Sequence, residues 1–312
     1  MRIGIMVGGE VIGRPGSPAE TVDEVRRAED EGFASAWAVH FSRASDALTA
    51  LAVAGTVTSR IDLGVGVVPT YPRHPLALAQ QAATAQAFCG GRLTLGVGVS
   101  HRPVIEGLHG LPYTEPGEHL REYLTVLVAL LRGEEVVFDG KHHRVHGGFR
   151  VPGAAPVSVV VGALSSRGLR AAGELAAGVV TWLAGPRTLG EHIVPTLTRA
   201  ATGRQAPRVV AALPVAVTDD PDAARTAAED VFGRYGAMEN YRRVLAREGV
   251  DSVGDLVVAG DEATVTGELD RLAAVGVTEL WAVPYPCGSD PDPAGDATVQ
   301  RTRAHLAGLG SR

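Results

Sequence analysis

The chain has 312 residues and a formal net charge of −6, with 45% hydrophobic and 21% charged residues. This length allows one large α/β domain, and the acidic balance gives no reason to expect a nucleic-acid partner. No apolar run reaches the roughly 18 residues of a membrane helix. The only cysteines, Cys89 and Cys287, are too few for a disulfide scaffold and suit a cytoplasmic protein.

Strands and helices are predicted to alternate over the first hundred residues. Ser17 can cap a helix, Pro18 fits its first position, and Glu20 lies favourably near its positive end. Gly32 is predicted to end that helix. The predicted strands are Ile3–Val7, Ala36–Val39, Asp62–Val67 and Leu93–Val99, with further helices over 46–58 and 75–88.

Two stretches of this region are nearly identical. Leu63–Val67 and Leu95–Val99 both read Leu-Gly-Val-Gly-Val, and they lie 32 residues apart, counted from Leu63 to Leu95. A strand, a helix and a second strand need about this length, so the second stretch is predicted to be the parallel neighbour of the first. Apolar residues without charge are typical of a strand buried on both faces. Two glycines per strand indicate that another backbone or a ligand comes close.

The alternation pauses after the fourth strand and then resumes. Residues 100–116 are predicted to be a loop rich in Pro, Gly and His, and Asp139-Gly140 predicts a hairpin turn outside the sheet. Later strands are predicted at Val157–Val161, Val179–Leu183, Val209–Val217 and Glu279–Val283, with helices over 117–131, 187–201, 221–248 and 262–275 and one more that begins at Ser166.

Eight strand–helix units in order predict an α/β fold, the TIM (β/α)8 barrel. We expect one domain over 1–312, with insertions at about 100–116, 134–156 and 235–260. A doubly wound open sheet is the alternative. That fold normally carries a phosphate fingerprint near its start, and no G-x-G-x-x-G follows the first strand here.

The carboxyl ends of the strands carry the active site of a TIM barrel, and several polar side chains fall there. His40 follows the second strand and could move a proton near neutral pH, or could only be hydrogen-bonded in a turn. His101 directly follows the second glycine-rich strand. The other strand-end residues predicted to contact a ligand are Val67, Val68, Thr70, Tyr71, Arg73, Gly98, Ser100 and Arg102.

The loop after the fifth strand is the clearest predicted anion site. Gly162, Ala163 and Leu164 are followed by Ser165 and Ser166. Small residues let backbone N–H groups approach an anion, the hydroxyls add donors, and the helix start adds partial positive charge. A phosphate is the preferred occupant, although Ser165 could equally serve only to cap the helix.

Three histidines in the predicted hairpin, His142, His143 and His146, are considered as metal ligands. Residues 142 and 143 are expected to point to opposite faces of a strand, and no Cys, Asp or Glu completes a familiar zinc spacing. No metal site is therefore predicted. Cys287 lies near a strand end without an evident base and is not interpreted as a nucleophile.

Several of these segments together resemble the luciferase-like monooxygenase superfamily, and within it the branch that uses deazaflavin F420. The Arg-His-Pro and Gly-Arg-x-x-Leu-Gly-x-Gly motifs at this spacing are the specific part, and the likeness covers nearly the whole chain. The resembling segments are Glu29–His40, Arg60–Val67, Arg73-His74-Pro75, Gly90–Gly98 and Glu122–Glu134.

The resemblance implies a TIM barrel, often dimeric, with the cofactor's tricyclic ring at the strand C-termini. The ring would rest on the bulge after the third strand, where such proteins often carry a non-prolyl cis peptide, and Val67-Val68 is the matching position. His40 matches a histidine near the reactive ring, and Gly162 to Ser166 match the segment that holds the cofactor phosphate. The candidates for its anionic tail are Arg73, Arg102 and Arg167.

One departure from the family pattern concerns the substrate. F420-dependent sugar-phosphate dehydrogenases of this superfamily place a glutamate just after the fourth strand, where this chain has Ser100-His101-Arg102. A sugar phosphate substrate is therefore disfavoured.

We expect a cytoplasmic oxidoreductase, present as a homodimer, that moves a hydride between F420 and a small organic substrate. The reaction would reduce a C=O, C=C or C=N bond, or run in reverse. His40 is the first candidate for the proton relay, with His101 or Tyr71 as alternates. An FMN-dependent monooxygenase on the same scaffold and a non-catalytic flavin-binding barrel remain alternatives. A lyase or isomerase is disfavoured, because no lysine or metal set stands at the strand ends.

Overall fold

The strands of the main sheet close into a barrel. The computed structural model describes residues 1–14, 16–287 and 295–310. The barrel strands are β1 (Arg2–Val7), β2 (Ser35–Val39), β3 (Asp62–Pro69), β4 (Leu93–Gly98), β7 (Ser158–Gly162), β8 (Gly178–Trp182), β9 (Arg208–Val217) and β11 (Glu279–Pro284). Neighbours in this order pair in parallel, and β11 pairs back with β1. The predicted TIM barrel is confirmed.

Three more of the described strands lie outside this closed ring. β5 (Val136–Asp139) and β6 (Arg144–Gly147) form the predicted hairpin as a separate antiparallel pair. β10 (Val258–Gly260) pairs in parallel with β9. The sequence pattern predicts no strand there, because three residues are too few to show an alternation.

Helices follow most strands and cover the outside of the barrel. They are α1 (Pro18–Asp30), α2 (Ala47–Val57), α3 (Pro75–Phe88), α4 (Arg102–Gly107), α5 (Pro116–Leu131), α6 (Ser166–Leu175), α7 (Pro186–Thr188), α8 (Val194–Ala200), α9 (Pro221–Phe232), α10 (Glu239–Glu248), α11 (Glu262–Ala274) and α12 (Ala297–Gly310). A π-helical segment, Leu189–Ile193, joins α7 to α8. The expectation of a plain loop over 100–116 is wrong, since α4 lies there with Pro103 in its first turn.

Polar side chains cap the starts of the first three helices. At α1 the Ser17 side chain accepts from the Glu20 backbone N–H while the Glu20 carboxylate accepts from the Ser17 N–H, which is a capping box. Asp46 caps α2 by accepting from the Thr49 N–H at 2.8 Å. His74 caps α3 through Nδ1, which accepts from the Leu76 backbone N–H at 3.3 Å.

The glycines of β3 make room for two indole rings inside the barrel. A β-carbon on Gly64 would lie 2.3 Å from the Trp37 ring, and one on Gly66 would lie 2.5 Å from the Trp281 ring. The two indoles stack with centroids 5.2 Å apart. Side chains, rather than a ligand, therefore account for the glycines of the first repeat.

A buried polar cluster fills the amino-terminal end of the barrel. The Glu279 side chain is 2% exposed and lies 2.8 Å from the Arg208 guanidinium. Its carboxylate also accepts from the Ser35 hydroxyl at 2.6 Å and the Trp37 Nε1–H at 2.8 Å. Arg208 in turn donates to Thr94 at 3.0 Å. These groups satisfy one another and fill this end of the barrel, while the active site of a TIM barrel lies at the opposite, carboxyl-terminal end.

Among the described residues, no helix combines the length and the apolar character needed to cross a membrane.

Candidate active site

A bulge in β3 shapes the carboxyl-terminal mouth of the barrel. The β3–β4 register shifts between Val65 and Val68, and the peptide bond between Gly66 and Val67 is cis. The expected cis position, Val67-Val68, is thus wrong by one residue, because the resemblance locates the bulge but not the peptide bond within it.

The side chain of Val67 packs against glycines of two neighbouring strands. A β-carbon on Gly98 would lie 2.9 Å from a Val67 methyl, and one on Gly162 would lie 3.0 Å from the other methyl. Val67 itself is only partly buried, and Val68 is fully buried in the core behind it. Three adjacent strand ends therefore form a shallow platform with one aliphatic side chain at its centre.

His40 lies beside this platform, at the end of β2. His40 is 9% exposed, and its Nε2 lies 3.5 Å from Nη2 of Arg73. Arg73 is held by Asp46 at 2.6 Å and by Gln81 at 2.9 Å. His40 Nδ1 is buried and has no hydrogen-bond partner among the described residues. His40 is thus a clamped histidine with one free ring nitrogen.

The electrostatics of this group favour an uncharged imidazole. Burial lowers the pKa of His40, and the Arg73 cation lowers it further, while the Asp46 carboxylate opposes them. Burial alone would raise the pKa of Asp46, but the Arg73 and Thr49 hydrogen bonds hold it below its ordinary value. Because the Arg73 cation already pairs with the Asp46 carboxylate, its expected role at a cofactor's anionic tail is not supported.

Tyr71 belongs to an aromatic stack with His119. Its ring lies parallel to that of His119 with centroids 3.9 Å apart, and its hydroxyl donates to the Thr114 carbonyl at 2.6 Å. Burial is the main cause that raises the pKa of Tyr71 to about 12. His119 Nε2 is 3.0 Å from the hydroxyl of Thr70, which is fully buried. A proton-donating role for Tyr71 is not supported by these contacts.

The hairpin histidines do not point to opposite faces as expected. The rings of both His142 and His143 lie against His119, at centroid distances of 5.8 Å and 4.9 Å, because residues 140–143 form the turn and not a strand. The ligand atoms of His142, Glu115 and Glu118 lie within 4.8 Å of one another.

The end of β4 carries a strained backbone and a small cluster of rings. Ser100 has φ +60°, a conformation that side chains other than glycine rarely adopt and that is common at functional sites. The His101 ring lies 6.4 Å from that of Tyr241, and burial lowers the pKa of His101. Arg102 is exposed, pairs with Glu106 at 2.6 Å and covers the ring of the nearby Tyr113. Arg102 is thus engaged locally, at the outer edge of the mouth.

The loop from β7 to α6 presents the start of a ten-residue helix. Ser165 caps this helix by accepting from the Gly168 N–H at 3.3 Å, which is one of the two roles predicted for it. Ser165, Ser166 and Arg167 are exposed, and Arg167 makes no hydrogen bond or ion pair with any described residue. Ala163 and Leu164 connect this exposed start to the platform at Gly162.

Two groups of functional interest were not predicted from the sequence. Asp46, predicted only as the first residue of a helix, also holds Arg73. Trp182 ends β8 with its Nε1 buried and without a hydrogen-bond partner among the described residues, and Leu183 after it has φ +53°. A tryptophan at a predicted strand end was the available signal, since strand ends form the mouth of the barrel.

Comparison with known proteins gives a family and several relatives. The luciferase-like monooxygenase family matches residues 1–289. The chain is 26% identical to a 5,10-methylenetetrahydromethanopterin reductase of Methanopyrus kandleri, over 93% of this chain and 95% of the other. It is 29% identical to a putative coenzyme F420-dependent oxidoreductase of Mycobacterium tuberculosis, over 90% and 94%.

Solved structures show the same fold. The coenzyme F420-dependent tetrahydromethanopterin reductase from Methanopyrus kandleri superposes with a TM-score of 0.80 at 25% identity, covering 99% of this chain and 97% of the other. A type II Baeyer–Villiger monooxygenase from Pseudomonas putida, in complex with FMN, superposes with a TM-score of 0.73 at 20% identity, covering 98% and 97%.

Proposed function

This chain belongs to the luciferase-like monooxygenase family and is an oxidoreductase, and we propose that it transfers a hydride between coenzyme F420 and a small organic substrate. The bond reduced would be C=O, C=C or C=N, with the reverse direction equally open. F420 supplies the hydride-carrying carbon, while the protein supplies binding, orientation and exclusion of water.

The choice of F420 as the cofactor is based on the names of the relatives. A protein named as F420-dependent matches over 90% of this chain and 94% of its own length, and a solved F420-dependent reductase matches over 99% and 97%. The likeness extends over at least nine-tenths of each chain, and the cofactor of such a barrel is bound at the strand ends. This is the observation on which the proposal rests.

The residues at the mouth fit a flat ring with an anionic tail. Gly98 and Gly162 have no β-carbon, and the Val67 side chain fills the space in front of them, so the platform would offer a ring one aliphatic side chain. The exposed start of α6 would hold a phosphate through its N–H groups, the Ser166 hydroxyl and Arg167. His40 offers an unpartnered ring nitrogen beside the platform.

An FMN-dependent monooxygenase is the second candidate, favoured by the structural likeness to an FMN-containing Baeyer–Villiger monooxygenase. The two chains are only 20% identical, and a likeness at this level supports a shared fold but not a shared cofactor. We therefore rank FMN below F420.

The test is a direct titration of the purified protein with F420 and, separately, with FMN, followed by fluorescence. We expect F420 to bind at least tenfold more tightly, which corresponds to about 1.4 kcal/mol. Tighter binding of FMN would overturn the choice of cofactor. A Ser166→Glu variant places a negative charge at the start of α6 and should weaken binding about tenfold. Thr202→Glu, which adds the same charge at an exposed position after α8, should leave binding unchanged.

We also propose that the chain forms a homodimer through the outer faces of α2 and α3. Neither helix contains a charged residue, yet Val53, Val57 and Phe88 are 51%, 50% and 56% exposed. A second copy would cover these side chains, since exposed apolar patches mark interaction sites.

Light scattering after size-exclusion chromatography should report twice the mass of one chain for the native protein. Val53→Glu should give the mass of one chain, because it would bury an unpaired charge in the interface. Val137→Glu, at an 81% exposed position of the hairpin, is the matched control and should stay dimeric. A native protein with the mass of one chain would contradict the proposal.

A further inference from the structure

We propose that the substrate is an uncharged, largely apolar molecule, and that the mouth of the barrel rejects molecules that carry a carboxylate or a phosphate. The inference rests on the proposed function, since it names the substrate class for the same site. It is argued from the side chains that face the inside of the barrel and from the ionic groups around them.

Strand alternation shows which side chains face the inside of the barrel. In β11, Leu280 and Ala282 belong to the core between the sheet and the helices. Trp281 and Val283 belong instead to a second cluster, which fills the interior of the barrel. The strands β7, β8 and β9 divide between the same two clusters in the same way. The inward-facing residue at each strand end therefore follows from this period of two.

The inward-facing side chains become less polar toward the mouth. The amino-terminal end holds the charged pair of Glu279 and Arg208, and the stacked rings of Trp37 and Trp281 lie among the apolar residues of the interior cluster. The layer at the carboxyl ends of the strands is made of glycine and apolar side chains. Its members are Val39, Val67, Gly98, Gly162, Trp182 and Val283.

Apolar side chains of the loops continue this lining beyond the strand ends. Ile12 follows β1, Phe41 follows β2, Leu164 follows β7 and Met238 precedes α10, and all four pack against the interior cluster. Each of them is only partly buried, so part of its surface is open to a ligand. An apolar molecule would be stabilised by covering these surfaces.

Ionic groups that border this lining are neutralised within the protein or turned away from it. Arg73 pairs with Asp46 at 2.6 Å, and Arg102 pairs with Glu106 at 2.6 Å. Glu10 lines a small cavity together with residues of α1 and α2, which places it on the helix side of the sheet. These three groups therefore offer no free charge to a substrate in the mouth.

Exposed cations near the mouth lie outside the inner lining. Arg167 is on α6, at the site proposed for the cofactor phosphate. Arg43 lies three positions after His40 and is exposed. Arg234 lies over the ring of Tyr235, with its guanidinium carbon 5.3 Å from the ring centroid. Since none of them is on a barrel strand, an anion that reached the lining would leave them behind.

The two histidines of the strand ends do not supply a cation either. Burial lowers the pKa of His40 and of His101 from the ordinary 6.5, so both rings are neutral at pH 7. A carboxylate placed on this lining would lose its hydration without gaining an ion pair, which is costly. A neutral molecule of the same shape would not incur that cost. The sequence departure after β4 disfavours a sugar phosphate, and the lining extends this to anionic substrates in general.

The experiment compares two pairs of probes that differ only in charge at neutral pH. Methyl 4-oxocyclohexanecarboxylate and its free acid carry a C=O bond, and methyl cinnamate and cinnamate carry a C=C bond. Saturation-transfer NMR detects their binding to the free protein and, in a second series, to the protein loaded with F420. We expect each ester to bind at least tenfold more tightly than its acid. Equal or tighter binding of the acids, or no binding of either ester in both series, would overturn the proposal.

Charge variants test whether the probes bind at the mouth. Phe41→Arg places a cation on the lining, and it should raise the affinity for the acids at least tenfold and lower that for the esters. Val137→Arg makes a matched change at an 81% exposed position of the hairpin and should keep the native preference. Arg43→Gln should keep it as well, because Arg43 lies outside the lining.

A second position guards against a variant that does not fold. Ile12→Arg introduces the same cation from the β1 side of the mouth, and circular dichroism checks both variants. A folded Phe41→Arg or Ile12→Arg protein with the native preference would overturn the proposal, since the probes would then bind elsewhere.

Failure of the proposed function would look different. If F420 does not bind but the esters are preferred and Phe41→Arg reverses the preference, the proposed function fails and the apolar mouth stands. If F420 binds and the acids are preferred, the proposed substrate class alone is overturned.

Discussion

A Glu279→Gln variant is expected to lose about 3 kcal/mol of unfolding free energy. The native carboxylate is almost fully buried and accepts from Ser35, Trp37 and Arg208. The amide can keep part of these hydrogen bonds, but it leaves the Arg208 charge without its counter-ion at the amino-terminal end of the barrel. Equilibrium unfolding in urea, followed by circular dichroism, measures the loss as a lower midpoint at unchanged slope.

The same carboxylate predicts a pH dependence of stability. Burial alone would raise its pKa, but the Ser35 and Trp37 hydrogen bonds and the Arg208 guanidinium hold the pKa of Glu279 below its ordinary 4.5. A carboxylate of this kind stabilises the fold at pH values above its unfolded pKa, and the contribution is lost as the pH falls through the folded pKa. The difference between the native chain and Glu279→Gln should therefore be full at neutral pH and shrink below pH 4.5.

An exposed ion pair supplies the matched control. Glu239 and Arg243 form a pair in α10 with side chains 71% and 66% exposed. Glu239→Gln should change the unfolding free energy by less than about 0.5 kcal/mol. Equal losses for Glu279→Gln and Glu239→Gln would show that the buried pair contributes no more than a surface pair.

The barrel could be predicted because its signals are local and repeated. Leu63–Val67 and Leu95–Val99 each show a buried strand in five residues, and the length between them admits one helix. The reasons for their glycines could not be predicted in this way. Gly64 faces the Trp37 ring and Gly98 faces a Val67 methyl, and these neighbours come from other strands, so each contact exists only once the barrel has closed.

The candidate site was predictable only in part, for the same reason. His40 stood out because strand ends are where barrels carry reactive groups. The contacts that hold His40 could not be predicted, since Asp46 was predicted only as the first residue of a helix and Arg73 as a cation for the anionic tail of a cofactor. The ion pair that joins them spans 27 positions, from residue 46 to residue 73, and depends on how α2 and α3 are placed.

Replacing Gly98 by valine is expected to weaken F420 binding by about 10- to 100-fold. A β-carbon at Gly98 already falls 2.9 Å from a Val67 methyl, so the two further methyl groups of valine must displace Val67 from the platform. If the ring of the cofactor rests there, its binding surface is altered directly. Isothermal titration calorimetry with F420 measures the affinity, and thermal melting checks that the barrel is intact.

Gly98→Ala provides a graded second variant in case the valine prevents folding. Its single methyl requires a smaller shift of Val67, and it should weaken binding less than valine does. Gly267→Val makes the same change on α11, where a β-carbon would meet nothing within 4 Å, and should leave F420 affinity unchanged. Native affinity in a folded Gly98→Val would show that the cofactor does not contact Val67. A loss that grows from alanine to valine, with Gly267→Val unaffected, would assign the ring to this platform, because only there does added volume move the surface on which it would rest.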